Sequence, residues 1–280
     1  MYKIVKKREL NPTATLMEVD APFVARKAEP GQFIILRVDE EGERIPLTVA
    51  DFDREKGTVT IIFQIVGGTT MRLNLLNEGE YIQDFVGPLG EPSHTEGLKK
   101  VAVVGGGVGC AIAYPVAKKL HEQGAEVHSV VGFRNKDLVI LEEEFSAVSD
   151  VFKMMTDDGS YGEKGLVTDA LKALIEAGNS YDEVIAIGPV VMMKFVSLLT
   201  KQYGIKTVVS MNPIMIDGTG MCGCCRLTVA GKTRFACVDG PDFDGHEVDY
   251  DEILKRASTY KEFEAKEREK ACNLFKKEVR

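Results

Sequence analysis

The sequence predicts four consecutive parts: an antiparallel β-barrel in residues 1–97, an α/β domain with a parallel sheet in 98–210, a small cysteine-rich segment in 211–249 and a helical tail in 250–280. Three observations support this division. Short alternating apolar runs fill the first part, buried runs alternate with helical stretches in the second, and four cysteines fall close together in the third. With 280 residues, of which 44% are hydrophobic, the chain is long enough for about two core-forming domains.

The first part contains regular strand-like runs, of which residues 31–38 and 58–66 are the clearest. Apolar and polar residues alternate in these runs, and Gly and Pro punctuate the stretches between them. Regularly spaced short strands of this kind are typical of a small antiparallel barrel or sandwich.

The second part shows a different pattern. Residues 101–104, 127–131 and 184–187 are short apolar runs, and helical stretches such as 166–177 lie between them. Alternation of buried strands with helices predicts a parallel sheet with crossover helices.

The charge and the start of the chain exclude several function classes. Acidic residues outnumber basic ones by 43 to 35, which gives a formal net charge of −8. A nucleic-acid partner is disfavoured, because phosphate binding needs a concentrated basic face. No run of 18 apolar residues occurs, and the start lacks the apolar stretch of a signal peptide. We therefore expect a cytoplasmic protein with no membrane partner.

A glycine-rich turn follows the first strand of the second part. It consists of Gly105, Gly106, Gly107 and Gly109, and the helical run 111–120 comes directly after it. Such glycines let a phosphate approach the positive end of a helix, although a strand-to-helix turn also uses glycine for packing. The acidic residue expected about 20 positions later is absent. The motif therefore predicts a dinucleotide site without separating NAD from NADP.

Two further strand ends carry candidate cofactor contacts. Asp157 and Gly159 lie in the loop 156–162. Gly188 directly follows the run 184–187, and Met192 comes four residues later. Ligands of open α/β sheets bind at the carboxyl ends of strands, and carboxylates can accept hydrogen bonds from ribose hydroxyls. Ordinary turn chemistry also explains Asp and Gly at these positions.

The barrel part holds two candidate groups for binding an anion beside a flat ring. The first comprises Arg44, Pro46, Leu47 and Thr48, and the second comprises Gly67, Thr69 and Thr70, which follow Gln64 at the end of a strand. Arg, Thr and free backbone amides can hold a phosphate, and a flat ring can lie against the strand. Taken alone, each group is also compatible with an ordinary strand end or turn.

The cysteine-rich segment carries the most specific signal. Asp217, Cys222, Cys225 and Cys237 have the spacing D-x4-C-x2-C-x11-C, which differs from the plant-type [2Fe–2S] spacing only in its first residue. A carboxylate can ligate iron, so four ligands remain and Cys224 is an extra thiol. Zinc and disulfides are the alternatives. A zinc site more commonly shows paired C-x2-C knuckles, and a disulfide framework spreads its cysteines through a secreted domain.

The tail carries an imperfect apolar stripe. Its members are Ile253, Leu254, Ala257, Phe263, Leu274 and Phe275. Such a helix either packs on its own domain or docks on a partner.

In combination, these motifs resemble the ferredoxin-NADP reductase superfamily, in the branch that contains the dihydroorotate dehydrogenase electron-transfer subunits. The resemblance extends over essentially the whole chain. It implies FAD on the barrel, around Arg44, Pro46, Leu47 and Thr48, with Thr69 and Thr70 at its pyrophosphate. It also implies NAD(H) on the second domain. Asp217 in place of cysteine is similar to the small subunits of NADH-dependent ferredoxin:NADP oxidoreductases, also described as sulfide dehydrogenase beta subunits.

That resemblance implies a heterodimer with a larger subunit similar to the glutamate synthase small subunit, which carries a second FAD and [4Fe–4S] clusters. Electrons from NADPH would divide there, one to ferredoxin and the other through the [2Fe–2S] cluster and FAD of the small subunit to NAD. The cofactors supply this chemistry, so no catalytic side chain is predicted. The alternatives are a dihydroorotate dehydrogenase electron-transfer subunit, another reductase component, or a non-catalytic redox sensor, in which the flavin and nucleotide loops would be superfluous.

Overall fold

A computed structural model of the chain describes residues 1–259, 263–266 and 269. The first sheet contains strands β1 (Tyr2–Asn11), β2 (Ala14–Asp20), β3 (Phe33–Arg37), β4 (Ile45–Asp53), β5 (Thr58–Gln64), β6 (Tyr81–Ile82) and β7 (Asp84–Leu89), with helices α1 (Pro22–Ala25) and α2 (Gly68–Leu75) between them. Its neighbouring strands are antiparallel, in the order β6-β1-β2-β5-β4-β3-β7. Only Gln83 separates the two edge strands β6 and β7 in the chain, so the sheet is nearly closed into a barrel.

The alternation of side chains along each strand determines which residues face the barrel interior and which face outward. In β5, Ile61 and Phe63 belong to the barrel core, whereas Ile62 packs outward against the second domain. Successive strand residues point to opposite faces, so a strand with apolar residues at both sets of positions contributes to two cores.

The second sheet contains β8 (Lys100–Gly106), β9 (Glu126–Phe133), β10 (Val151–Thr156), β11 (Glu163–Lys164), β12 (Glu183–Ile187) and β13 (Thr207–Ser210). These strands are parallel in the order β11-β10-β9-β8-β12-β13. The connecting helices are α3 (Cys110–Glu122), α4 (Glu142–Ala147), α5 (Val167–Glu176) and α6 (Val190–Gln202), with 3₁₀ turns at Gly107–Gly109 and Lys136–Leu138. The sheet has an apolar core on each face, as a doubly wound α/β domain requires.

The cysteine-rich segment has more regular structure than its sequence pattern predicts. It forms a hairpin from β14 (Arg226–Val229) and β15 (Lys232–Phe235), and β16 (Asp242–Asp244) pairs antiparallel with β13 at the edge of the second sheet. Strands of three or four residues are too short to show a clear period, which explains why alternation did not indicate them. The segment is therefore built onto the nucleotide-binding domain.

The tail begins with α7 (Tyr250–Ala257), which packs on its own domain. The Tyr250 hydroxyl lies 2.8 Å from the Ser197 hydroxyl of α6, and Lys194 Nζ donates to Asp251 Oδ1 at 2.6 Å. Ile253 is buried, whereas the side chain of Phe263 is exposed. Leu274 and Phe275 lie outside the described residues. Among the residues that the structure describes, no helix is long and apolar enough to span a membrane.

Candidate cofactor sites

The glycine-rich turn lies at the carboxyl end of β8, beside the end of β12, and its glycines have different roles. A Cβ on Gly109 would come within 2.6 Å of Gly188 Cα, and one on Gly105 within 2.9 Å of Cys110 Sγ. These two glycines therefore permit close packing. Gly107 has a φ of +55°, and a Cβ there would meet nothing within 4 Å. Gly107 is thus the open point of the turn, directly before the start of α3, where backbone N–H groups attract a phosphate.

Gly188 and Met192, which the sequence offers as a separate candidate strand end, lie against this turn. A Cβ on Gly188 would come within 2.9 Å of Met192 Cε and 3.0 Å of the Gly106 carbonyl oxygen. The thioether of Met192 also fills the space beside Gly106. The structure therefore brings the Gly188 strand end and the glycine-rich turn together at one edge of the sheet.

Asp157 and Gly159 follow β10, which is separated from β8 by β9. The Asp157 N–H donates to the Phe133 carbonyl at 3.0 Å, so this loop is tied to the end of β9. Gly159 has a φ of +77°, and Asp158 Oδ1 accepts from the Ser160 N–H at 2.9 Å. Turn chemistry thus accounts for Gly159 and Asp158, while Asp157 is an exposed carboxylate at the carboxyl edge.

The candidate flavin residues of the barrel divide between its two faces. Pro46 pairs with Ile35, Thr48 with Phe33, and Gln64 with Ala14. These three residues continue the outer face on which Ala50 and Ile62 pack against the second domain. Leu47 instead packs on the barrel core, so its side chain is separated from the outer face. Pro46, Thr48 and Gln64 therefore form the wall on which a flat ring could lie next to the nucleotide-binding domain.

The turn before α2 is stabilised by Thr70. Its hydroxyl accepts from the N–H groups of Val66 and Gly67 and donates to the Gly67 carbonyl, all at 3.0 Å. Thr70 is buried and its hydroxyl is fully used in holding the turn, so it is placed to shape the turn itself. The Thr69 hydroxyl lies 3.5 Å from Glu43 Oε2, which brings the exposed Arg44 segment beside the start of α2.

Two thiols form the buried part of the cysteine cluster. Cys225 and Cys237 are each about 1% exposed, and their sulfur atoms lie 3.1 Å apart. Burial, followed by the hydrogen bond with Cys225, raises the pKa of Cys237 to about 12. Two buried thiols in contact are suited to ligating a soft metal centre, since ligation removes their protons.

Asp217 is held beside Cys222 by the backbone. Its Oδ1 accepts from the Thr219 N–H at 2.8 Å and its Oδ2 from the Cys222 N–H at 2.9 Å. Backbone hydrogen bonds, with that from Thr219 the strongest, hold the pKa of Asp217 below its usual range. An ionised carboxylate has about four lone-pair sites. Asp217 thus caps this turn and still has lone pairs for a metal.

Cys224 lies next to Cys222 at the open side of the cluster. The Cys224 sulfur is 4.0 Å from the Cys222 carbonyl oxygen, and a hydrogen bond with Cys222 is the main cause that raises the pKa of Cys224. Within the described residues, no three of these side chains are already arranged to hold a single metal ion. The thiol-rich donor set nevertheless fits an iron–sulfur cluster, whose irons are held by Cys thiolates.

Two contacts of this site were missed by the sequence analysis. Arg256 Nη2, from α7, donates to the Cys224 carbonyl at 3.0 Å. Glu252 Oε2 also accepts from the Thr228 N–H at 3.0 Å. The first turns of the tail therefore anchor the cysteine-rich segment. No local motif reports a contact between residues 32 positions apart.

Comparisons with known proteins show the family to which the chain belongs. Residues 212–249 match the iron–sulfur cluster binding domain of dihydroorotate dehydrogenase B. A dihydroorotate dehydrogenase B (NAD(+)) electron transfer subunit homolog of Thermotoga maritima is 49% identical over 264 residues, which cover 94% of this chain and 93% of that protein. The corresponding subunit of Shouchella clausii is 34% identical over 255 residues, which cover 88% of this chain and 96% of that protein.

The chain belongs to the family of dihydroorotate dehydrogenase B electron-transfer subunits and their homologues.

A solved structure of the NADH-dependent reduced ferredoxin-NADP oxidoreductase, studied for flavin-based electron bifurcation, contains a similar chain. It is 48% identical with a TM-score of 0.91, and the match covers 96% of this electron-transfer subunit and 97% of that chain. The predicted fold class and the superfamily resemblance are thereby confirmed. This electron-transfer subunit is an oxidoreductase component with FAD, NAD(H) and a [2Fe–2S] cluster as cofactors, and it works with a larger partner subunit.

Proposed function

We propose that this chain is the small subunit of a flavin-based electron-bifurcating NADH-dependent ferredoxin:NADP oxidoreductase. In this role it passes electrons between a flavin of its partner and NAD(H), through its own [2Fe–2S] cluster and FAD. The observation that carries the proposal is the 48% identity to the solved oxidoreductase chain over 96% of this sequence. The aspartate at the first ligand position, held against Cys222, gives further support.

The residues of this chain have distinct tasks in the proposal. The outer face of the barrel, with Pro46, Thr48 and Gln64, orients the flavin, and Arg44 with the start of α2 binds its pyrophosphate. The turn around Gly107 binds the pyrophosphate of NAD(H), and the Asp157 carboxylate accepts hydrogen bonds from a ribose. The bound flavin and nicotinamide supply the chemistry of hydride and electron transfer. The protein holds them together and needs no proton-transferring side chain.

The proposed partner is a larger subunit similar to the glutamate synthase small subunit, with a second FAD and [4Fe–4S] clusters. Ferredoxin would bind to that subunit. The cytoplasmic location stays a prediction.

Affinity purification of the tagged chain from its native host, followed by mass spectrometry, tests the proposal. We expect the predicted large subunit to co-purify, and the complex to reduce NADP when it is given both NADH and reduced ferredoxin. Co-purification of a dihydroorotate-oxidising subunit would instead support the second candidate, a dihydroorotate dehydrogenase electron-transfer subunit. That candidate is favoured by the match of residues 212–249 to the dihydroorotate dehydrogenase B domain.

A further inference from the structure

Three segments of the chain meet where the barrel, the linker after β7 and the cysteine-rich segment come together. We call this contact the junction, and define it as residues 30–33, 90–93 and 240–242. We propose that the junction is a positioning device that fixes the flavin-binding barrel relative to the iron–sulfur segment, with Gly90 and Ser93 as its positioning residues. The inference rests on the proposed placement of the flavin on the outer face of the barrel.

The linker is bound directly to the cysteine-rich segment. The Glu91 N–H donates to the Gly240 carbonyl at 2.7 Å, and the Ser93 hydroxyl donates to Asp242 Oδ2 at 2.5 Å. Both bonds join residues that are about 150 positions apart in the sequence. The linker therefore does more than connect two domains, since it also holds the segment that carries Cys237.

The same linker residues are bound to the barrel. The side-chain amide of Gln32 donates to the Gly90 carbonyl at 2.8 Å, and the Ser93 N–H donates to the Pro30 carbonyl at 2.9 Å. Ser93 thus contacts the barrel through its backbone and the cysteine-rich segment through its side chain.

The packing at Gly90 leaves no space for a side chain. A Cβ at this position would lie 2.8 Å from Phe33 Cε1, 3.0 Å from the Gly240 carbonyl oxygen and 3.1 Å from Pro241 Cδ. Phe33 belongs to the barrel, whereas Gly240 and Pro241 belong to the cysteine-rich segment. Any group larger than hydrogen at Gly90 would therefore push these two parts away from each other.

The third side of the junction is tied to the second sheet. Asp242 pairs with Ser210 in the ladder between β13 and β16, and the Met211 N–H donates to the Pro241 carbonyl at 2.8 Å. Asp242 Oδ1 is buried without a hydrogen-bond partner in the described part of the chain. The hydrogen bond from the Ser93 hydroxyl therefore stabilises this buried carboxylate more than a solvent-exposed hydrogen bond would.

The position of the junction connects it to electron transfer. Phe33 pairs with Thr48 of the proposed flavin wall, and Gly240 follows Cys237 by three residues. The rate of electron transfer between two cofactors falls steeply as the distance between them increases. A linker that fixes the barrel against the cysteine-rich segment thus sets the rate between the two cofactors.

The linker provides its own matched control for a test. Gly90 has a φ of +77° and Gly97 a φ of +76°, so alanine introduces the same backbone strain at each. A Cβ at Gly97 meets nothing within 4 Å, whereas one at Gly90 meets the barrel and the cysteine-rich segment. The comparison of Gly90→Ala with Gly97→Ala therefore isolates the contact from the strain.

The holoprotein variants are compared by anaerobic stopped-flow spectroscopy with NADH. We expect Gly90→Ala to slow reduction of the cluster by about twofold or more. Reduction of the flavin by NADH should stay at the parental rate, because the barrel keeps its separate packing of Ala50 and Ile62 on α3. Gly97→Ala should leave both rates unchanged. Equal slowing of both steps in Gly90→Ala, or an unchanged rate of cluster reduction, would overturn the proposal.

Hydrogen–deuterium exchange supplies a second measurement that needs no turnover. We expect Ser93→Ala, a smaller change that adds no bulk, to increase amide exchange in residues 240–244 and 90–93 but not in β1 or β2. Unchanged exchange in both segments would overturn the junction even if Gly90→Ala did not fold. If NADH does not reduce the flavin of the parent protein, the proposed function fails. The exchange measurement still decides whether the junction couples the linker to the cysteine-rich segment.

Discussion

At the scale of single residues, the cysteine cluster combines thiols with different environments. Cys225 and Cys237 are buried and in contact, whereas Cys222 and Cys224 lie at the open side of the segment. Water cannot reach the position of a buried thiol to replace a lost sulfur–iron bond. Removal of a buried thiol should therefore damage the cluster more than removal of an exposed one.

We predict that Cys225→Ser loses most of the cluster iron and that Cys224→Ser retains it. Cys225 matches the [2Fe–2S] ligand spacing, and its sulfur atom lies 3.1 Å from that of Cys237. Cys224 does not match the spacing and is not part of this sulfur pair. Iron content per chain, measured on anaerobically purified variants, checks this expectation. Equal iron loss in the two variants would show that the wrong thiol has been assigned.

Asp217 gives a second prediction at this scale. Asp217→Ala removes both the proposed ligand and the hydrogen bonds to the Thr219 and Cys222 N–H groups, so cluster occupancy should fall while reduction of a dye by NADH through the flavin survives. Asp217→Cys should retain a cluster with a changed reduction potential, because ligand identity and charge tune it. EPR spectra and midpoint potentials identical to those of the parent in both variants would leave Asp217 with the turn-capping role alone.

Gly107 tests the nucleotide site. Gly107→Asp places a carboxylate at the start of α3, where it should repel the pyrophosphate and weaken NADH binding about tenfold or more, which corresponds to about 1.4 kcal/mol. Gly204→Asp is the matched control, because Gly204 also has a positive φ, of +66°, and open space around its Cβ position. Titration of each variant with NADH measures the dissociation constant. Equal weakening in both would contradict a site at Gly107.

At the scale of elements, the short helix α7 connects the tail to the cluster. Arg256 bonds the Cys224 carbonyl and Glu252 accepts from Thr228, so α7 supports the loop from which Cys222 and Cys225 project. The helix itself is capped by the Asp249 side chain, which accepts from the Glu252 N–H at 3.0 Å.

We predict that Arg256→Ala accelerates loss of the cluster, whereas Lys255→Ala does not. A lost hydrogen bond from a charged donor costs about 1.5–3 kcal/mol when buried, and partial exposure of Arg256 reduces that cost. Lys255 is the neighbouring residue, and it is exposed and also positively charged. Comparison of the two variants therefore separates loss of the hydrogen bond to the Cys224 carbonyl from loss of one positive charge. The decay of cluster absorbance in the presence of a chelator measures the effect. Identical decay rates would show that α7 does not support the site.

Elements with a long and regular pattern could be predicted from the sequence, and those defined by tertiary contacts could not. The runs 101–104, 127–131 and 184–187 lie inside β8, β9 and β12, because fully buried parallel strands are continuous apolar runs. The hairpin strand β15 has the sequence Lys-Thr-Arg-Phe, which has no pattern of apolar residues that would predict a buried strand. The antiparallel return of β16 to the edge of the second sheet depends on partners more than 30 residues away.

The same distinction applies to the candidate site. The glycine-rich turn and the cysteine spacing were visible because chemistry requires specific residues at fixed positions. The inward orientation of Leu47 and the use of the Thr70 hydroxyl within its own turn depend on how β4 and α2 fold, which a motif does not specify.

At the scale of the whole molecule, the barrel contacts both faces of the second domain. Ala50 and Ile62 share a core with α3, and Phe33 and Ile35 share a core with Cys225, Cys237 and the residues around them. The barrel also has an interior core of its own, which includes Ile61 and Phe63 and contains no cysteine. The cysteine-rich segment is therefore supported by the rest of the molecule, while the barrel has a core that does not depend on it.

This arrangement predicts how the protein responds to removal of iron. The purified chain should contain FAD and about two irons, as a [2Fe–2S] cluster requires. Chelation should increase amide exchange in residues 211–249 and leave the barrel strands β1 to β5 protected with FAD bound, because the barrel core excludes the cysteines. Hydrogen–deuterium exchange with elemental analysis measures both quantities. Zinc in place of iron would contradict the cluster, and loss of protection throughout the barrel would show that the cluster stabilises the whole chain, since the cores would then unfold as one cooperative unit.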